Sequence, residues 1–283
     1  MQGMLYICAT PIGNLEDITL RTLRILKEVD LIAAEDTRNS IKLLNYYDIK
    51  TPMTSYHEYN RYDKAKVLVD KMLSGTNVAI ITDAGTPAIS DPGEELVRQC
   101  HEAGITVTSL PGPSAFVTAL TISGRDTRRF CFEAFLPNEK SDRKERQEIF
   151  YELSKETRTI ILYEAPHKLV RTLNDLYETL GNRRLSLCRE LTKKHEENFR
   201  TTIGEAIEYY RNNEPRGEYV LVIEGISRKE LKEDEMKEFL EMTIPEHVAY
   251  YTEQGMDKKE AMKRVAKDRG VGKRDIYQAL LEK

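Results

Sequence analysis

The stretch IITDAGTPAISDPG at residues 80–93, followed by LPGPSA at residues 110–115, decides the fold class of this chain. Each begins with apolar residues and breaks into glycine, proline, serine and threonine before a helix-like segment, which is typical of a strand followed by a polar loop. Loops of this kind gather at one edge of an open α/β sheet, where ligands bind. The pair therefore predicts two strand ends at a ligand-binding edge, although either turn alone has an ordinary structural explanation.

The composition indicates a globular protein of two domains with an appendage. Its 283 residues, 40% of them hydrophobic, can bury a sizeable core. Apolar runs are short and interrupted by charge, and no basic segment precedes a long apolar stretch, so we expect a soluble cytoplasmic protein. The four cysteines lie far apart and form no Cys-x-x-Cys pair, which favours reduced thiols and predicts no metal site.

Alternating apolar and amphipathic segments divide the chain into three parts. Residues 1–123 predict an N-terminal α/β domain with a largely parallel sheet. Residues 124–225 predict a C-terminal α/β domain whose shorter, adjacent strands favour a mixed sheet. Residues 226–283 begin as a charged linker and end in a basic helical tail.

Four further segments carry a family resemblance. They are ATPIGNLED at residues 9–17, AEDTR at 34–38, YEAPH at 163–167 and ELTK at 190–193. With them the chain resembles the tetrapyrrole methylase superfamily, and within it the ribosomal RNA small subunit methyltransferase I group, from residue 5 to about residue 225. The resemblance implies a two-domain architecture with the methyl donor S-adenosylmethionine (SAM) folded in the interdomain cleft.

The SAM site is expected in the strand-end loops. Small residues let the main chain approach a ligand, and a helix start such as that at Ser114 favours an anion like the SAM carboxylate. A plain helix N-cap is the simpler role for Ser114. The first strand ends without a Gly-x-Gly-x-x-Gly motif, which argues against a nicotinamide enzyme. The predicted SAM-binding residues are Pro11, Asp83, Ala84, Gly85, Ser114, Ala115, Tyr163 and Leu191.

Methyl transfer to a ribose hydroxyl requires orientation of the acceptor oxygen and removal of its proton. The catalytic candidates are Glu35, Asp36, His57 and Glu164, which are titratable groups in predicted loops at the cleft. Each has a structural alternative: Glu35 and Asp36 can pair with Arg38, His57 can lie on a polar surface, and Glu164 can cap the next helix. The sequence does not choose among them.

A nucleic-acid partner depends on where the charges lie, because 43 basic and 47 acidic residues give a net charge of −4. Residues 257–283 carry nine basic and five acidic residues with the spacing of a helix-turn-helix. The alternative is a helical hairpin used for dimer contact or packing. If the tail binds RNA, its cations contact phosphates rather than bases. The predicted RNA-binding residues are Arg128, Arg129, Lys193, Lys258, Lys259, Lys263, Arg264, Lys273 and Arg274.

The resemblance implies a SAM-dependent enzyme that methylates the ribose 2′-hydroxyl of a 16S rRNA cytidine, namely cytidine 1402 of the decoding centre. It also implies the small ribosomal subunit as partner and a homodimer as the assembly. One alternative is a methylase of a tetrapyrrole or a modified protein side chain, as in sister families. A second is a ligand-sensing, nucleic-acid-binding regulator without enzymatic activity. Without the resemblance, the residues alone indicate only a two-domain α/β enzyme with a ligand cleft and a basic helical tail.

Overall fold

The structure of the protein, a computed structural model, describes residues 2–137 and 141–281. The strands are β1 (Leu5–Cys8), β2 (Leu31–Ala34), β3 (Met53–Ser55), β4 (Val78–Ile81), β5 (Val107–Leu110), β6 (Phe130–Phe135), β7 (Thr159–Glu164), β8 (Arg184–Arg189), β9 (Glu197–Thr202) and β10 (Tyr219–Ile223). The helices are α1 (Leu20–Glu28), α2 (Thr37–Tyr46), α3 (Arg61–Leu73), α4 (Gly93–Glu102), α5 (Ala115–Ser123), α6 (Arg143–Ser154), α7 (Pro166–Leu180), α8 (Ile203–Asn212), α9 (Arg228–Glu241), α10 (Ile244–Glu253), α11 (Lys258–Asp268) and α12 (Lys273–Leu281).

The first sheet is parallel and has the strand order β3-β2-β4-β1-β5. Its central strand β4 is buried along its whole length because helices cover both faces of the sheet. Val78 and Ile80 pack with α3 and α4 on one face, and Ala79 and Ile81 pack with α1 and α2 on the other. Because the strands are parallel, the loops that follow them meet at one edge. This arrangement confirms the predicted α/β fold.

The second sheet is mixed, with the order β6-β7-β10-β8-β9. Strands β6 and β7 are parallel, whereas β10 is antiparallel to both β7 and β8. Tyr219, the first residue of β10, therefore pairs with Glu164 and Arg189, the last residues of β7 and β8. The start of β10 thus lies at the same edge as the ends of its neighbours.

Helix α5 joins the two sheets. It follows β5 of the first sheet, yet Ala119 and Leu120 pack against Ile161, Val220 and Val222 of the second. Helices α6, α7 and α8 cover the opposite face of that sheet. Residues 2–137, 141–154 and 158–224 consequently form one compact unit that holds both sheets. The proposed domain boundary at residues 123/124 coincides with the end of α5 and stays a prediction.

Residues 225–281, which comprise the described charged segment and tail, form a second unit together with residues 155–157. Its core is a cluster of side chains from α10, α11 and α12, among them Val248, Val265 and Ile276. Helix α11 ends at a left-handed glycine, Gly270 (φ 65°), and the amide of Val271 donates to the carbonyl of Ala266 (3.0 Å). This C-cap turns the chain into α12 in the manner predicted for the tail.

Among the helices of the described residues, none has both the length and the apolar character needed to cross a membrane.

Candidate active site

A cleft of about 480 Å³ lies at the edge of the first sheet where its strands end, and residues of the second sheet form its other wall. This volume is within the range of small-molecule sites in proteins. The described residues that line it are Ile12, Glu35, Thr82, Asp83, Ala84, Gly85, Thr86, Ile89, Ser90, Asp91, Ser114, Ala115, Phe135, Tyr163, Cys188, Glu190, Leu191, Lys193, Gly217, Glu218, Tyr219 and Val220.

The floor of the cleft is formed by the residues that follow β1 and β4, which are joined to each other by hydrogen bonds. The amide of Thr10 donates to the carbonyl of Gly85 (2.9 Å), and the amide of Gly85 donates back to the carbonyl of Thr10 (3.0 Å). The Thr10 hydroxyl also donates to the carbonyl of Thr82 (3.0 Å). Gly85 adopts a left-handed conformation (φ 88°) that glycine accommodates without strain. These hydrogen bonds therefore fix the main chain of residues 82–85 where it lines the cleft.

Glu35, the residue after β2, is held in the cleft by two donors from the neighbouring strand. The hydroxyl of Thr82 and the amide of Asp83 (3.3 Å) both donate to its Oε2. Asp83 is held in turn by the amide nitrogen Nδ2 of Asn39, which donates to its Oδ2 (3.1 Å). Two carboxylates with fixed orientations thus lie at the ends of adjacent strands.

The loop after Gly85 is closed by Asp91. Its carboxylate accepts hydrogen bonds from the amides of Ala88 (2.9 Å) and Gly93 (2.7 Å). Ala88 and Ser90 have left-handed φ values of 66° and 60°, so these bonds hold a strained segment in place. Burial, together with the nearby charge of Glu35, raises the pKa of Asp91 to about 6 although the two donors act to lower it.

The start of α5 lines the cleft through Ser114 and Ala115. Ser114 is the N-cap residue by position, but its side chain makes no capping hydrogen bond. The amide of Phe116 in the first turn donates instead to the hydroxyl of Tyr163 (3.2 Å). Phe116 stacks on Phe132 at 4.5 Å, and the Phe132 ring lies 5.0 Å from that of Tyr163. Burial raises the pKa of Tyr163, so its hydroxyl stays neutral at physiological pH.

The wall from the second sheet is a compact turn after β8. Leu191 is 6% exposed, and it lies between Glu190 (φ 51°) and Thr192 (φ 67°), which are both left-handed. Lys193 Nζ lies 2.9 Å from Glu190 Oε1. A Cβ atom on Gly13 would lie 2.6 Å from Cγ of Lys193, so the loop after β1 packs directly on this turn. Glycine is required at residue 13 for the two walls to approach this closely.

Seven of the eight residues predicted to bind SAM line this cleft. Pro11 is the exception; its neighbour Ile12 lines the cleft instead, among the described residues. The others are Asp83, Ala84, Gly85, Ser114, Ala115, Tyr163 and Leu191.

The four catalytic candidates separate into one cleft residue and three others. Glu35 lines the cleft. Asp36 caps α2 and binds Arg38 through both oxygens (3.0 and 2.7 Å), and these bonds lower its pKa to about 2. His57 follows the edge strand β3, where its main-chain amide donates to Asn60 Oδ1 (2.9 Å). Glu164 is 3% exposed and accepts from Thr172 of α7 (2.5 Å). The described lining of the cleft includes none of these last three.

The predicted RNA-binding residues fall into three groups. Lys193 lines the cleft. Arg128 and Arg129 precede β6, which runs parallel to β7, so they lie at the opposite edge of the second sheet from the cleft. In the tail, Arg264 is engaged with Asp268 (3.3 Å) and lies over the ring of Tyr251. The remaining five, Lys258, Lys259, Lys263, Lys273 and Arg274, are exposed.

Sequence reasoning missed several lining residues. Asp91 and Ser90 lie within the quoted stretch at residues 80–93, and the clustering of Gly, Pro, Ser and Asp there could have identified them. Gly217 and Glu218 precede β10, and no sequence signal showed that this strand runs toward the opposite edge from β7 and β8. Within residues 2–137 and 141–281, no group of three or more His, Cys, Asp or Glu side chains is arranged to hold a metal ion.

Comparison with known proteins places this site in a recognised family. Residues 4–207 match the model of the tetrapyrrole (corrin/porphyrin) methylases. That range contains both strand-end loops of the first sheet and the turn after β8, and it ends before the tail.

Two relatives share much of the sequence. The protein named ribosomal RNA small subunit methyltransferase I of Halalkalibacterium halodurans is 49% identical over 98% of this chain and 94% of its own length. The protein of the same name in Thermotoga maritima is 46% identical over 79% of this chain and 99% of its own length. The second relative therefore leaves about a fifth of this chain without a counterpart.

A solved structure confirms the architecture. Cobalt precorrin-4 methyltransferase superposes with a TM-score of 0.58 at 18% identity, covering 78% of this chain and 94% of that one. At this identity the similarity shows the fold alone.

Proposed function

This chain belongs to the tetrapyrrole methylase family, and on that basis we propose that it is a SAM-dependent methyltransferase of 16S rRNA that acts on the ribose 2′-hydroxyl of cytidine 1402. The observation that carries the proposal is the 49% identity, over nearly the whole chain, to a protein named ribosomal RNA small subunit methyltransferase I. The likeness to the corrin methylase is a likeness of fold, so it does not favour a tetrapyrrole acceptor to the same degree.

The residues of the cleft fit SAM. Ile12, Ala115, Leu191 and Val220 offer apolar surface for an adenine ring. The start of α5, where the Ser114 side chain makes no capping hydrogen bond, suits a carboxylate because the helix dipole favours an anion there. When bound, SAM supplies an electrophilic methyl group on a positively charged sulfur.

Several acidic side chains in the cleft suit the cationic parts of the donor. Asp83 and Glu35 lie on the first-sheet side and Glu218 lies on the second-sheet side. Their negative charges attract the ammonium and sulfonium groups of SAM.

Among the catalytic candidates, Glu35 is the one that we assign to the acceptor hydroxyl. Its carboxylate is fixed by Thr82 and Asp83, and it faces the cleft in which the methyl donor would bind. Fixed in this way, it can orient a ribose hydroxyl and accept its proton as the methyl group is transferred. Asp36, His57 and Glu164 are engaged by other parts of the fold, so we assign them structural roles.

Lys193 and the tail are the proposed contacts to RNA. Lys193 lines the cleft, so it can contact a phosphate next to the target ribose. The exposed lysines and arginine of the tail supply further positive charge for phosphates. The described residues that line the cleft all precede the tail, so the tail adds affinity rather than chemistry. We also propose that the protein is a homodimer, which sedimentation equilibrium would test.

The acceptor is tested by offering the purified protein radiolabelled SAM with small ribosomal subunits, with free 16S rRNA and with a tetrapyrrole. We expect label in RNA, either in the subunit or in the free rRNA. Label in the tetrapyrrole alone would contradict the proposal and move the activity to the other branch of the family. No label with any acceptor, together with absence of SAM binding by calorimetry, would support a regulator without enzymatic activity.

A further inference from the structure

A groove of about 410 Å³ lies between α11 and α12 of the tail, and nothing in the catalytic account uses it. We call it the tail groove. Its described lining residues are Lys259, Met262, Lys273, Arg274, Tyr277 and Gln278.

The tail groove is strongly cationic. Lys259, Lys273 and Arg274 line it, no acidic side chain does, and none of the three forms an ion pair among the described residues. The contrast is Arg264 on the same helix as Lys259, whose charge is already engaged by Asp268. Three cations around one concave surface, none in an ion pair within the described part of the chain, form a site for an anion with several oxygens, such as a phosphodiester.

The tail groove also has an aromatic wall. Tyr277 is 57% exposed, although its neighbour Ile276 is fully buried in the core of the tail. The other aromatic rings of the described chain make no ring contact with it. Met262 adds a polarizable apolar surface beside it. A flat ring next to cations is the arrangement on which single-stranded nucleic acids stack their bases.

The groove is preformed, because both of its helices are anchored. The amide of Gly272 donates to Oδ2 of Asp275 (2.9 Å) at the start of α12, and the amide of Val271 donates to Ala266. Ile276 fixes the rotation of α12 and so directs the next residue, Tyr277, outward. Binding of a ligand therefore does not have to order this surface, and little conformational entropy of the protein is lost.

We propose that the tail groove binds one unpaired nucleotide of RNA, with its base stacked on Tyr277 and its phosphates on Lys259, Lys273 and Arg274. This inference rests on the proposed function, since it names the part of the RNA that the tail engages. An unpaired nucleotide is required because the faces of a base within a duplex are covered by its neighbours. An acidic peptide would use the cations but would leave the ring without a role.

The test uses the full chain and a fluorescein-labelled single-stranded RNA of about 12 nucleotides, a length that spans one such site. The same strand annealed to its complement is the duplex probe. Tyr277→Leu keeps apolar volume without a ring, and Tyr277→Phe keeps the ring. We expect Tyr277→Leu to weaken single-strand binding about fivefold or more and Tyr277→Phe to retain it, with duplex binding unchanged in both.

The charges are tested by the salt dependence of the same binding. The double variant Lys273→Ala/Arg274→Ala should lower the slope of log K against log salt by about 0.7 for each phosphate contact removed. The matched control is Lys229→Ala/Lys237→Ala, which removes two lysines of the same unit that pair with Glu233 and Asp234. The control should leave the slope unchanged.

The outcomes separate this inference from the proposed function. Equal single-strand affinity for wild type and Tyr277→Leu, or an equal loss for single strand and duplex, would overturn the nucleotide site even if the wild type methylates rRNA. Competition by polyglutamate as effective as by RNA would also overturn it, in favour of a general anion site. Single-strand binding that depends on the Tyr277 ring, without any methyl transfer to rRNA, would support the nucleotide site and contradict the proposed function.

Discussion

The hydroxyl of Thr82 donates a hydrogen bond to Oε2 of Glu35, and this contact joins the ends of the adjacent parallel strands β4 and β2. Thr82 is itself a largely buried residue, and the amide of Asp83 donates to the same oxygen (3.3 Å). A carboxylate held by two donors on a rigid strand end keeps one orientation in the cleft. That orientation is the basis for assigning it to the acceptor hydroxyl.

Replacing Glu35 by glutamine should remove methyl transfer while SAM binding persists. Glutamine retains the shape and can still accept the Thr82 hydrogen bond, but it cannot take up the proton of the hydroxyl. We expect kcat to fall about 100-fold or more, in the range of general-base contributions. The surface variant Glu28→Gln, which alters an exposed pair with Arg24, is the control. A Glu35→Gln enzyme with normal kcat and weakened SAM binding would show that Glu35 holds the donor instead.

Adding a methyl group at Gly13 should separate the two walls of the cleft. The new Cβ would lie 2.6 Å from Cγ of Lys193 and 3.1 Å from the carbonyl oxygen of Leu191. We expect Gly13→Ala to weaken SAM binding and to cost about 1–3 kcal/mol of stability, as overpacking does. Combining it with Lys193→Ala removes the closer clash, so the double variant should recover part of the SAM affinity measured by calorimetry. Additive losses would show that the two residues do not meet.

The raised pKa of Asp91 predicts a specific pH dependence of stability. Its pKa is about 6 in the folded chain against an ordinary value of 3.8, so the folded state binds the proton more tightly than the unfolded state. The stability that this proton contributes is present at low pH and is lost as the pH rises from about 4 through about 6. The urea midpoint of the wild type should therefore fall relative to that of Asp91→Asn across this window and then level off. If the urea midpoints of wild type and Asp91→Asn differed by the same amount at every pH, the burial of a titrating carboxyl at this position would be contradicted.

Shortening Ile276 should destabilise the tail without disturbing the cleft. The side chain is fully buried among residues of α10 and α11, and isoleucine-to-alanine changes at such sites cost about 2–5 kcal/mol. We expect Ile276→Ala to lower the melting temperature of the tail and to weaken RNA binding, with SAM affinity unchanged. Leu281→Ala, at a position 62% exposed, should leave both unaffected. Loss of SAM binding in Ile276→Ala would show that the tail supports the cleft.

The sequence predicted the first-sheet side of the cleft well, for a physical reason. Parallel strands all end at one edge, so Asp83 and Ser114 must lie near each other once their strands are recognised. The location of Glu35 at this edge follows from the same rule, because it is the residue after β2. Asp36 is different, because the direction of its side chain depends on the helix cap and on Arg38 rather than on its position at a strand end.

The second-sheet side was less accessible to such reasoning. Strand β10 is antiparallel to its neighbours, so its first residue, Tyr219, and the preceding Glu218 reach the cleft although they begin a strand. Strand direction in a mixed sheet is set by long-range pairing and leaves no local pattern. The same holds for Arg128 and Arg129, whose charge was evident but whose location at the far edge was not.

Transfer to a ribose hydroxyl is decided by digesting labelled RNA to nucleosides after small ribosomal subunits have been incubated with the protein and radiolabelled SAM. We expect label in 2′-O-methylcytidine from wild type and little or none from Glu35→Gln. Label in a base-methylated nucleoside, or equal labelling by both proteins, would contradict transfer to a ribose hydroxyl at this carboxylate.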